Sequence, residues 1–132
     1  MKKLAALVFA LTLSTAVSAA YGAALPVEGT WGTIMSQNGF TFDMTMKLEN
    51  QTITTTNKCS FQGAVAVVAV TVPASYDGTS ITVLASAEKQ EVQNGVECHV
   101  SVQPDRMNYV VAGTTLVLSH DGSTDRFSLT RR

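Results

Sequence analysis

Strict period-two alternation limits what this chain can become more than any other feature. In "FTFDMTMKL" the residues Phe40, Phe42, Met44, Met46 and Leu48 share one parity, while Thr41, Asp43, Thr45 and Lys47 share the other. Successive strand side chains point to opposite faces, so such a run is an antiparallel strand with one face buried and one in water. The same logic in "GVECHVSVQ" places Val96, Cys98, Val100 and Val102 inside, and Glu97, His99, Ser101 and Gln103 outside. In "DRFSLTRR" it aligns Phe127, Leu129 and Arg131 against Arg126, Ser128 and Thr130.

Turn pairs cut these runs at short intervals. Asn38-Gly39, Asp77-Gly78, Asn94-Gly95 and Asp121-Gly122 are dipeptides that tolerate positive φ in tight hairpins. No stretch beyond the first twenty residues carries a helical period. "SAEKQEVQ", Ser86 to Gln93, comes closest, but Asn94-Gly95 leads straight from it into another strand, so it reads as the polar end of a strand. The segment "GAVAVVAVTV", Gly63 to Val72, is apolar on both faces. A change of parity near Val67 predicts a bulge there. An apolar strand left at an open sheet edge invites aggregation, and closing the sheet removes the edge. Sequential short hairpins therefore predict an all-β fold, an antiparallel up-and-down β-barrel of eight or nine strands.

The first twenty residues follow a different rule. Lys2 and Lys3 precede the apolar run Leu4 to Leu13, and small residues gather at Ser18, Ala19 and Ala20. That order is the pattern of a secretory signal peptide, with cleavage after Ala19 or Ala20. The run is about half the length needed to cross a bilayer. The expected organisation is a signal peptide over 1–20, a short lead-in over 21–28 and one barrel domain over 29–132. The leader is of bacterial type, so the destination is the periplasm or the extracellular space. Without Lys2 and Lys3, seven basic residues face ten acidic ones, a balance of −3. That mild acidity argues against nucleic acid, which needs a basic face. The mature chain is expected to be monomeric, without a transmembrane segment.

Two cysteines, Cys59 and Cys98, remain for the mature chain. In an exported protein an even pair reads as one disulfide. It would close a loop of about 40 residues, worth on the order of 3–4 kcal/mol in the chain-entropy account.

Gly29-Thr30-Trp31 opens the first strand, and "NYVVAGTTLVLSHDGSTDRFSLTR" spans Asn108 to Arg131. The first resembles the Gly-x-Trp motif of lipocalins and the wider calycin group. The second is similar to the closing segment of small bacterial lipocalin-like domains. The resemblance implies that Trp31 plugs the closed end of the barrel and that Arg131 lies across its ring. A guanidinium over an indole face is worth about 0.5–2 kcal/mol, so the pairing makes physical sense.

Motifs for catalysis are absent: no nucleophile elbow, phosphate loop or zinc-binding spacing occurs. His99 and His120 are far apart, and Glu88, Glu91 and Glu97 read as a charged solvent face. No enzyme activity, metal or cofactor is expected. The first functional expectation is a soluble exported binding protein holding a small apolar or amphipathic ligand in the barrel. Inward candidates for that pocket are Phe42, Met44, Val100 and Tyr109. The second is a periplasmic inhibitor of an envelope hydrolase, a protease or lysozyme, with Tyr76 in "PASYDGTS" as the anchor of an inserting loop. The third is a structural envelope protein without a ligand. An apolar pocket of a few hundred Å³ would favour the first, and a solid interior with a projecting Tyr76 the second.

Overall fold

The computed structural model describes residues 25–132, so the expected leader, its expected cleavage site and the lead-in up to residue 24 lie outside the described residues. Ten strands follow one another: β1 (Gly29–Gln37), β2 (Phe40–Glu49), β3 (Thr52–Phe61), β4 (Ala64–Tyr76), β5 (Ser80–Val83), β6 (Ala87–Gln93), β7 (Val96–Val102), β8 (Asp105–Ala112), β9 (Thr115–Ser119) and β10 (Arg126–Arg131). Eight of them close an antiparallel barrel in the order β1-β10-β9-β8-β5-β4-β3-β2. Every neighbour in that ring is also a neighbour in sequence, apart from the closing pair β1–β10 and the pair β5–β8. The remaining two strands, β6 and β7, form a separate hairpin inserted between β5 and β8. Among the described residues no helix is long and apolar enough to cross a membrane.

The turn residues act as their chemistry dictates. Asn38-Gly39 adopts φ of 53° and 81°, and Asn94-Gly95 adopts 53° and 78°. Positive φ at both central positions matches the right-handed twist of the flanking strands. Asp77-Gly78 departs from this expectation. The connection there is held by the Asp77 carboxylate, whose Oδ1 accepts the backbone N–H groups of Thr79 at 2.8 Å and Ser80 at 2.9 Å. A short side chain bonding to backbone ahead of it mimics a turn and removes the need for a left-handed residue.

The bulge expected near Val67 is absent. β3 and β4 keep one register from Thr52↔Pro73 to Phe61↔Ala64. Ala66, Val68, Val72, Ala74 and Tyr76 are all buried on the inner face, and Val67 points outward at 45% exposure. No change of face is required because the inner face is covered along its whole length, at one end by the barrel core and at the other by the hairpin.

That covering explains the two buried clusters. The first, around Trp31, Leu48, Ile53, Ile81, Leu116 and Leu129, fills the barrel. The second joins Cys59, Ala66 and Val68 of β3 and β4 to Val96, Cys98 and Val100 of β7. The parity read for β7 holds, but β7 is no stave of the barrel. It lies across the inner faces of β3 and β4, where these long strands run past the closed ring. The Cys59–Cys98 disulfide fastens it there, with Cα atoms 5.6 Å apart. Asn57 Nδ2 adds a hydrogen bond to the His99 carbonyl at 2.7 Å. The outer face of the hairpin is charged, with His99 Nε2 2.7 Å from Glu88 Oε1.

Candidate functional site: the mouth of the barrel

The two ends of the barrel differ in kind. At the closed end Trp31 is fully buried, and its Nε1 donates to the Val27 carbonyl at 2.8 Å. The Arg131 guanidinium lies 4.0 Å from the centre of the Trp31 ring. Its Nη1 donates to the Glu28 carbonyl at 3.1 Å and its Nη2 to the Pro26 carbonyl at 2.8 Å. The planar fork thus ties the incoming chain to the last strand. Glycines flank the Trp for a steric reason. A Cβ on Gly29 would sit 2.7 Å from Arg131 Nη1, at a φ of +120° that other residues rarely adopt. A Cβ on Gly32 would sit 2.8 Å from Arg132 Nε. Arg132 passes over Gly32 to reach Asp43, its Nη2 3.0 Å from Oδ1.

Tyr76 belongs to this end too, which corrects its assignment as a loop anchor. It is 6% exposed, donates to Glu28 Oε2 at 3.1 Å and accepts from the Gln51 N–H at 3.2 Å. Inward parity at the end of β4, not loop position, sets its direction. Burial pushes its phenol above the ordinary value, and the Glu28 carboxylate reinforces this against the opposing Gln51 N–H. Burial likewise raises the Tyr109 phenol, with the Asp77 charge adding to it.

The mouth is less filled. The β1–β10 ladder pairs only Trp31↔Arg131 and Gly32↔Thr130. Above it the wall is unzipped, although β1 stays paired with β2 from Gly29 to Gln37. Inside lies a cavity of about 270 Å³ with an apolar wall that includes Met44, Met46, Met107, Leu118 and Phe127. Its polar lining comes from Thr55, Ser101, Gln103 and Asp105. Met107, Leu118 and Phe127 also border an adjoining depression of about 400 Å³ that reaches Ser119, His120, Asp125 and Arg126, so the cavity communicates with the surface. His120 Nε2 lies 2.7 Å from Asp105 Oδ2. That hydrogen bond lowers the Asp105 carboxyl from its ordinary value; burial opposes it, and the Arg106 N–H adds to the lowering.

Of the four pocket residues expected from sequence, only Met44 lines this cavity. Phe42 shares its parity but stands at the rim, 37% exposed, in a surface depression with Phe40 and Phe61. Val100 is sealed under the hairpin beside the disulfide. Tyr109 is packed into the closed-end core, its hydroxyl donating to the Asp77 carbonyl. Met46, Met107 and Phe127 were overlooked as pocket residues, although alternation already aligned Met46 with Met44 and Phe127 with Leu129. Ser101 and Gln103 carried no signal, because they reach the cavity only through the hairpin's position. Among the described residues no group of three His, Cys, Asp or Glu side chains gathers to hold a metal.

Comparison with protein-family models, curated proteins and solved structures found no match to this chain. The closed barrel and the disulfide therefore stand on the geometry alone.

Proposed function

We propose that the protein is an exported binding protein of lipocalin-like type that holds one compact apolar or amphipathic ligand in the mouth cavity. The observation that supports this is the cavity itself. Its 270 Å³ lies just below the roughly 300–1,000 Å³ of ligand pockets, room for a small ligand only. Its apolar wall with a few polar groups at one side is the usual chemistry of such sites. The hairpin accounts for the small size, since it occupies space that an open barrel would leave to a larger ligand. The hydrolase-inhibitor reading loses its anchor with the burial of Tyr76. No observation favours a purely structural role.

An apolar fluorescent probe, N-phenyl-1-naphthylamine, tests the reading. It should bind the purified protein saturably with one site, and Thr55→Phe should abolish binding while circular dichroism stays unchanged. A folded protein that ignores the probe, or a Thr55→Phe variant that binds it as well as wild type, refutes the proposal. Mass spectrometry of protein purified natively from its host then identifies the occupant.

A further inference from the structure

Four methionines lie in the described chain, Met35, Met44, Met46 and Met107, and three of them line the cavity at the mouth. Met44 and Met46 are alternate residues of β2 and therefore share its inner face, about 7 Å apart along the strand. Met107 comes from β8, which stands across the ring from β2. Methionine has three rotatable bonds and a polarisable sulfur, so side chains from opposite walls can adjust to a common centre. One charged residue lines the same cavity, the Asp105 carboxylate.

We propose that Met44, Met46 and Met107 bind one monovalent soft metal ion, of which Cu(I) is the biological example, with Asp105 as the compensating charge. Thioether sulfur is a soft ligand that selects Cu(I) over hard ions such as Mg(II) and Ca(II). Three neutral thioethers leave a bound ion with its full positive charge, and a cation in an apolar cavity is costly unless paired. Asp105 meets that requirement. Its Oδ2 lies 2.7 Å from His120 Nε2. Of the other soft or borderline ligands, Cys59 and Cys98 form a disulfide and His99 faces Glu88, while His120 meets Asp105 beside the cavity. Thioethers also stay available where thiols are oxidised, which suits a disulfide-bearing protein. The proposal needs the cavity to be accessible but does not rest on its holding an apolar ligand.

Calorimetric titration of the purified disulfide-bonded protein with silver(I) nitrate, in chloride-free buffer, is the test. Ag(I) is the redox-inert analogue of Cu(I). One ion should bind per chain, and Met107→Leu should weaken binding at least tenfold. The triple variant Met44→Leu, Met46→Leu, Met107→Leu should lose it, while Met35→Leu should bind like wild type. Leu conserves volume, so the variants are expected to stay folded. The proposal is overturned by absent Ag(I) binding, or by unchanged binding in Met107→Leu and the triple variant. The naphthylamine probe separates the two readings. Binding of Ag(I) without probe binding refutes the apolar-ligand reading alone, and probe binding without Ag(I) refutes the metal alone.

Discussion

Replacing Arg131 by Met would remove the guanidinium from the Trp31 ring while leaving most of the aliphatic stem in place. Three interactions disappear: the ring contact at 4.0 Å and the hydrogen bonds to the carbonyls of Glu28 and Pro26. Arg131 is an exposed residue, so the low end of each range applies. The cation–π contact is worth about 0.5–1 kcal/mol at such a site. Each hydrogen bond adds roughly 0.5–1 kcal/mol, because water can partly satisfy the abandoned carbonyls at the barrel end. The sum is about 1.5–3 kcal/mol. Urea unfolding followed by circular dichroism should show that loss, and each kcal/mol should lower the melting temperature by roughly 4–8 °C. Arg131→Lys should fall between, since an ammonium keeps the charge but lacks the planar fork. A double-mutant cycle with Trp31→Leu isolates the ring contact, with an expected coupling of about 0.5 kcal/mol or more. A loss below about 0.5 kcal/mol for Arg131→Met would refute the view that this side chain fastens the closed end.

Other perturbations probe the remaining parts of the structure. Replacing Cys59 and Cys98 together by Ala should cost about 2–5 kcal/mol by urea titration, and hydrogen exchange should quicken most in β6 and β7. Gly29→Ala should cost about 1–3 kcal/mol because its φ of +120° is hostile to a side chain. Gly32→Ala should cost under about 1 kcal/mol, because only the flexible Arg132 side chain must move; equal losses at the two glycines would contradict the steric account. The phenols of Tyr76 and Tyr109 should titrate above their ordinary value of 10.0 in an ultraviolet titration of the folded protein. Both favour the neutral form in the fold, so their contribution is complete below the unfolded value and is lost as pH climbs from there through the folded one.

Local order was legible in the sequence, and long-range placement was not. Alternation located β2, β7 and β10 and their buried faces, because strand period is a local property. The Asn-Gly pairs marked two hairpins for the same reason. The disulfide followed from the even number of cysteines together with the expectation of export. What alternation does not encode is which surface an inward face meets. The inner residues of β7 read as barrel staves, yet they rest on β3 and β4, and this misplaced Val100. The two-faced apolar run of β4 suggested a bulge, since the hairpin that covers its far end comes more than twenty residues later. Tyr76 shows the converse case. Its neighbours Asp77 and Gly78 gave it the look of a loop residue, while its parity with Val72 and Ala74 already pointed inward.

The narrow β1–β10 seam also sets the order in which the barrel can assemble. Strands β1 to β4 are joined by tight turns and can pair as soon as each is made, whereas Arg131 bonds to Glu28 across a separation of 103 residues. Loop-closure entropy makes such a contact late, and topologies rich in distant pairs fold slowly. The expected folding route is an open, curved meander that waits for β10, with the edge of β1 bare until then. Pulse-labelled hydrogen exchange should protect β2 and β3 first and the Arg132 amide, which donates to the Thr30 carbonyl of β1, last. Until Arg131 reaches the indole ring, this chain is an unclosed sheet with a free edge, and that interval is when it is most exposed to pairing with another copy of itself.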